Sequence, residues 1–440
     1  MYGYKKIISL LIPSFLEAAS IVLLSIMNTM MVSHLGESAI NAVNLASSPG
    51  NIVATVIVAI AAGITVKISQ LMGKGKPLDA KRFAEQGSLL CLVTTVVLSL
   101  LMVLFSSPIL TFLFDGLDHT TMEMARTFFV CIAFSLPGYA LFHALLASLR
   151  GAGDFKIIFV AELLHNVLYL ALGYLFIRVL HMEILGLGIA LILCRTTGGG
   201  LLYLLLLRGT NCIRISNIFH RTEKSVLGGI LSIGIPRSID GFFGTGGALF
   251  LQTIIVSLGS TAITANALGG NLRNFFLLPY SAIGTVAVTL IAHAYGAGNL
   301  KEARRVMWRC TLLTVLIASV INLASIWYLK PLLGLYNASA ETTALTLQLL
   351  TVTILFEPIF NTLNLTSWSA LNAVGDVKFA ITASIIRFCI VRLLGSVLLT
   401  RVWHLGIHGI WYTMVADYVI ASIIFTIRFL GRRWERVVRI

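Results

Sequence analysis

Apolar runs long enough to cross a bilayer as helices recur from one end of the chain to the other; such a run needs about 20 residues. They fall at 7–33, 44–72, 86–113, 122–149, 156–180, 184–208, 225–256, 267–296, 306–330, 343–371, 377–401 and 405–430, with short polar connections between them. The pattern predicts an all-α polytopic membrane protein with twelve transmembrane helices. Composition agrees: 58% of residues are hydrophobic and 11% charged, against about 25% charged in soluble domains.

The net charge of +14 could point to nucleic acid, but its placement points to topology. Alternate connections collect the lysines and arginines: Lys5/Lys6, Lys74/Lys76/Lys81/Arg82, Arg150/Lys156, Arg208/Arg214/Arg221/Lys224, Lys301/Arg304/Arg305/Arg309, Lys378, and the tail Arg428/Arg432/Arg433/Arg436/Arg439. The other side carries acidic or neutral loops such as "FDGLDHT" and "YNASAETT". The positive-inside rule then puts both termini in the cytoplasm of a cell-membrane protein. Trp327, Tyr328 and Trp403 are expected at the outer interface, and Trp308 and Trp434 at the inner one. The six cysteines are isolated, with no Cys-x-x-Cys, so neither a disulfide nor a metal site is expected. The first run resembles a signal peptide, but Glu17 interrupts it and no small-residue cleavage site follows, so a retained span is expected.

"GAGNLKEARR" (296–305) looks at first like a phosphate-cradling loop, yet its counterpart "GKGKPLDAKR" stands at 73–82. At an offset of 223, residues 35–82 align without gaps on 258–305, and Pro13 pairs with Pro236 and Pro108 with Pro331. Pro137 pairs with Pro358 at 221, and "LRGAGDFK" echoes "LNAVGDVK" at 222. The chain reads as two six-span halves, 1–208 and 225–440, joined by a cytoplasmic linker, 209–224. Six spans return the chain to its starting side, so the repeat is parallel, with a pseudo-two-fold along the membrane normal. The Gly-x-Gly pairs are then helix-ending turns with a basic anchor.

The order Ile-Pro, Leu-Gly-x-x-Ala-Ile, then Gly-x-Gly before a basic loop, all repeated, resembles the MATE (multidrug and toxic compound extrusion) family in its bacterial branch. "LGSTAITANALGGN", "LNAVGDVKF" and "IIFTIRFLGRRW" carry the likeness to the end of the chain. The resemblance implies two pseudo-symmetric six-helix lobes forming a V around a central cavity. It also implies efflux of organic cations, drugs or metabolites against inward flow of H⁺ or Na⁺. The chain departs from family patterns at ion-site positions. Asn28 stands where many relatives have Asp in span one. Tyr169 and Gly173 stand where others have Asn and Asp in span five, and Gly244 where a further group has Glu in span seven.

Ionisable groups within spans cost about 2.5–3.5 kcal/mol each on insertion scales, so they mark cavities or pairs. The acids are Glu17, Glu162, Asp240, Glu357 and Asp417; the bases include Arg195, Arg237, Arg273, Arg387 and Arg392. Glu17 and Asp240 each lie one helical turn after a proline, Pro13 or Pro236, on the same face. Each proline frees a carbonyl and permits bending. Candidate coupling-ion residues are therefore Glu17, Asp240, Glu162 and Glu357. Candidate cavity residues are Asp240, Glu17, Asn28, Arg195, His165 and Asp417, and candidate hinges Pro13, Pro236 and Pro358. Bland alternatives stand beside these: Asp240 paired with Arg237, Glu17 paired with an arginine such as Arg195, and Glu162 hydrogen-bonded to His165 at i,i+3. Glu17 has no local cation in its own helix, which makes it the expected proton carrier, while Arg237 sits one turn before Asp240.

The function expected is a secondary antiporter exporting cationic, amphipathic small molecules in exchange for H⁺ or Na⁺, proton coupling being favoured. A lipid-linked saccharide flippase of the same superfamily is the alternative. The Gly-x-x-x-Asp-Arg loop of major-facilitator transporters is absent, and no catalytic cluster or ATP-binding domain is visible, so an enzyme is not expected. The chain is expected to work as a monomer with no cofactor besides its coupling ion.

Overall fold

A computed structural model describes residues 2–33, 35, 37–113, 118–210, 212–219, 222–334, 339–431 and 434. Arg221, Arg432, Arg433, Arg436 and Arg439 of the basic loops lie outside the described residues, as does most of the "FDGLDHT" loop. The helices are α1 (Tyr4–Ser33), α2 (Glu37–Gly73), α3 (Pro77–Leu104), α4 (Ser106–Leu113), α5 (His119–Ala152), α6 (Phe155–Tyr174) and α7 (Glu183–Arg208). The second half adds α8 (Lys224–Ser257), α9 (Ser260–Phe276), α10 (Leu278–Gly296), α11 (Leu300–Gly334), α12 (Ala340–Val374), α13 (Val377–Arg387), α14 (Gly395–Val397) and α15 (Gly406–Leu430). Wider π-helical turns at Leu175–Val179, Phe388–Leu394 and Leu398–Val402 extend α6 and join α13 through α14 to Val402. Among the described residues no strand occurs, and twelve helical segments are long and apolar enough to span a membrane.

The repeat is visible in the elements. The α2 helix covers 37–73, and the α9–α10 pair covers 260–296 at the same offset of 223, broken only beside Pro279. Helix at the eighth apolar run therefore begins seven residues before it, at 260 instead of 267, although within this pair only α10 is long and apolar enough to span a membrane. The first turns of α9, "STAITANALGGN", are small and polar, so hydropathy undercounts them. Both Gly-x-Gly turns end a helix in the same way. Gly75 and Gly298 adopt φ of +69° and +72°. The next N–H in each case, of Lys76 or Asn299, reaches back to the carbonyl of Leu71 or Ala294 at 3.0 and 2.9 Å. That is a left-handed helix cap, which glycine adopts without steric cost.

The chain divides into two compact units, Leu16–Ser238 and Met1–Phe15 with Ile239–Ile440. The halves read from the repeat break at the linker, whereas the compact units break inside α1 and α8, two residues beyond Pro13 and Pro236. Packing explains this assignment. The start of α1 docks on α10, with the Ser14 hydroxyl donating to the Ala282 carbonyl at 3.3 Å. The start of α8 lies against α2, where a Cβ at Gly63 would stand 2.5 Å from the Ile230 carbonyl.

Each unit has its own core. In Leu16–Ser238 the α2, α5 and α7 helices bury Ala46, Phe128, Phe129, Leu136, Leu187 and Ala190. In the other unit Leu268, Leu272, Leu333, Leu349, Leu350 and Trp411 from α9, α11, α12 and α15 do the same. Trp327, Tyr328 and Trp403 are exposed side chains, as a membrane-interface belt requires, while Trp434 is buried and stacks on Phe429 with ring centroids 4.9 Å apart.

Candidate functional site

The unit Leu16–Ser238 contains a cavity of about 500 Å³ lined by α1, α2, α5, α6 and α7. The α6 helix supplies Glu162, His165, Asn166 and Tyr169, whose spacing of three, four and seven residues puts them on one face. The α5 helix supplies Tyr139 and His143, one turn apart, and α7 supplies Arg195. Asn28 enters from α1 and Asn51 from α2.

Arg195 is held by the close meeting of α5 and α7. A Cβ on Gly138 would lie 2.7 Å from the backbone of Arg195 and Thr196, so only glycine lets the two helices touch there. The Arg195 guanidinium then donates to the Ser135 hydroxyl at 2.8 Å and sits 4.6 Å from the centre of the Tyr139 ring. Among the described residues it has no carboxylate within 4.0 Å. His165 stacks on Phe142 at 4.6 Å and approaches the Cys194 sulfur at 3.4 Å. Glu162 is 4% exposed, with no hydrogen bond or ion pair to its carboxyl among the described residues.

The other buried acids among the candidates are tied to arginines. Glu17 is bound by Arg150 of α5. Its expected cation, Arg195, faces the cavity instead, and the cation that Glu17 does meet comes from another helix, not from its own. Arg150 stands at the end of an apolar run and reads as a loop charge. The left-handed cap at Gly153 (φ +88°) keeps it inside the last turn of α5. Glu357 accepts from Arg273 Nε at 2.5 Å, and Arg273 also donates to the Tyr418 hydroxyl at 2.7 Å. Asp417 is bound by Arg387. Glu162 and His165 share a face as expected but do not hydrogen-bond to each other; His165 turns to Cys194.

Asp240 is half-buried and lines a smaller pocket of about 250 Å³ in the other unit, with Arg387, Phe388, Asn364 and Trp368. Pro13, Pro236 and Pro358 all lie inside helices, α1, α8 and α12.

Two departures from family pattern meet in space: the Tyr169 hydroxyl donates to Asn28 Oδ1 at 2.8 Å. An uncharged pair thus joins the position where the family pattern has Asp, Asn28, to one where it has Asn, Tyr169. At Gly173 an added Cβ would come 2.2 Å from the Met31 methyl, so a side chain there would displace Met31. The repeat also sharpens the contrast between the units. The contact of His165 with Cys194 has its counterpart, at offsets of 222 and 223, in the ion pair of Arg387 with Asp417. An ion pair in one unit thus has a histidine–cysteine contact as its counterpart in the other.

The family model described as MatE matches residues 13–175 and 238–398, once in each half. The chain belongs to the MatE family. Among its relatives, a probable multidrug resistance protein NorM of Thermotoga maritima is 24% identical, over 98% of this chain and 93% of that protein. The multidrug resistance protein MdtK of Yersinia pseudotuberculosis is 20% identical over 92% and 90%. A solved MOP superfamily transporter from Pyrococcus furiosus superposes with a TM-score of 0.89 at 17% identity, covering 99% of this chain and 96% of that one. This MatE chain is accordingly a multi-pass membrane transporter, with relatives that are transporters rather than enzymes. The matched residues include Glu17, Glu162, Asp240 and Glu357, whereas Asp417 lies beyond the second match.

Proposed function

We propose that the protein is a secondary antiporter that exports amphipathic organic molecules bearing positive charge in exchange for protons. Both termini are cytoplasmic in this reading, and the chain works by alternating access as a monomer. The observation that carries it is Glu162. Glu17, Glu357 and Asp417 are each bound to an arginine, while Glu162 faces the cavity without an ion pair among the described residues. An acid that must load and release a proton cannot be permanently paired to a cation. A proton needs one carboxyl; a bare metal cation needs several oxygens around it. Among the described residues Glu162 is the one carboxylate lining the cavity, which also holds Arg195, and this favours H⁺ over Na⁺. The multidrug resistance proteins among the relatives support an amphipathic organic substrate.

In this reading Glu17 and Glu357 hold helices in place, and Pro13 and Pro236, beside the points where the chain passes from one compact unit to the other, supply the bends. The test is uptake of a cationic dye into proteoliposomes under separately imposed pH and Na⁺ gradients, for the wild type and Glu162→Gln. Proton-driven wild-type transport that Glu162→Gln abolishes, with an unchanged melting temperature, is the expected result. Transport that follows Na⁺ and ignores pH, or that survives Glu162→Gln, refutes the assignment.

A further inference from the structure

The cavity that holds Glu162 also holds a base, and the two do not neutralise each other. Arg195 carries five N–H donors. One goes to Ser135, its face lies on Tyr139, and no acid stands within 4.0 Å among the described residues. Arginine at this depth is costly unless it meets water or an anion. The backbone contact at Gly138 keeps it there, and the equivalent residue of the other half at the offset of 223, Tyr418, is no cation at all.

We infer that this cavity receives zwitterionic amphiphiles, with an acidic group of the substrate on Arg195 and its cationic group toward Glu162. Ring walls at Tyr139, His143 and Tyr169 suit a flat aromatic body between the two poles. The inference rests on the proton-exchange reading of Glu162 and extends it. The cationic pole and a proton compete for the same carboxylate, so binding one expels the other, which is exchange. A substrate with an acidic pole alone would behave oppositely. A proton on Glu162 would make the cavity more positive and favour the anion, which would then travel with the proton. Only the dipolar substrate uses both poles and still opposes the proton. The titratable and charged groups around Glu162 are Arg195, His143, His165, Tyr139 and Tyr169 in the cavity and Cys194 beside His165, with the Glu17–Arg150 pair close enough to act on it electrostatically. No covalent bond changes: one proton enters Glu162 as the cationic pole leaves.

The test uses the full chain in detergent and two dyes that differ at one group. Tetramethylrhodamine has a free carboxylate beside its cationic ring system, and its methyl ester is the cation alone. By fluorescence anisotropy the wild type is expected to bind the zwitterion about tenfold or more tightly than the ester, the effect of a hydrogen bond to a charged group. Arg195→Gln should bring that ratio to about one, again because the charged hydrogen bond is lost, while Arg195→Lys, which keeps the charge, should retain part of it. A wild-type ratio near one, no binding of either dye, or an unchanged ratio in Arg195→Gln overturns the inference. If Arg195→Gln does not fold, the wild-type ratio and Arg195→Lys still decide it. Proton-driven transport of the ester with a ratio near one sinks this inference and leaves antiport standing. A clear ratio without any response to a pH gradient sinks proton exchange and leaves the dipolar site standing.

Discussion

Consider the triad of Arg273, Glu357 and Tyr418. The Glu357 side chain is 1% exposed and that of Arg273 14%. Removing one member of such a pair strands the other's charge, at a cost of about 3–5 kcal/mol. With about 2.1 cal/mol/K of unfolding entropy per residue, a chain of 440 residues melting as one unit loses roughly 1 °C per kcal/mol. Glu357→Gln and Arg273→Met should therefore each lower the detergent melting temperature by about 3–5 °C. Replacing all three polar members together, R273M/E357L/Y418F, removes both charges of the pair and the hydroxyl bound to it. Swaps of buried ion pairs for apolar groups of similar volume are often neutral or stabilising. The triple variant should thus melt near the wild type and still transport. Thermal unfolding followed by intrinsic fluorescence, with dye uptake into proteoliposomes, supplies both readouts. A triple variant as unstable as the single ones would mean that the three groups are not a closed unit. A triple variant that folds and cannot transport would make Glu357 a coupling residue after all.

Other outcomes follow from the same geometry. Glu17→Gln should melt lower than Glu162→Gln, because it removes the carboxylate of an ion pair whereas Glu162 is in none among the described residues; equal melting points would contradict the pairing. Gly138→Ala should lower both melting temperature and transport, since its Cβ meets rigid backbone at 2.7 Å, and Gly200→Ala, with open space around it, should do neither. At the start of α5, Asp118 accepts the Thr121 N–H at 2.9 Å, which holds its carboxyl below the usual range. A depressed carboxylate stabilises the folded state above its unfolded pKa, and that contribution is lost as pH falls through the folded value. Asp118→Ala should therefore lower the melting temperature at neutral pH, and the difference from wild type should shrink in acid.

The number of helices, their approximate ends, the twofold repeat and the family were all legible in the chain. They depend on local properties: the length of apolar runs, the glycines that cap them, and the recurrence of the same motifs at one offset. The hydropathy signal fell short at polar first turns, as at the starts of α2, α3 and α9, which begin seven to nine residues before their apolar runs. The identity of the ionisable candidates was legible too, since charge in an apolar run stands out. Their partners were not. Glu17 met Arg150, 133 residues away, and Tyr169 met Asn28, 141 away. Each contact depends on how helices distant in sequence are rotated and how closely they approach. Tertiary packing alone decided that Glu17, Glu357 and Asp417 are bound to arginines while Glu162 and Arg195 open on the same cavity. A one-dimensional pattern records which residues carry charge, but the field around each charge is set by neighbours that only the folded helices bring together.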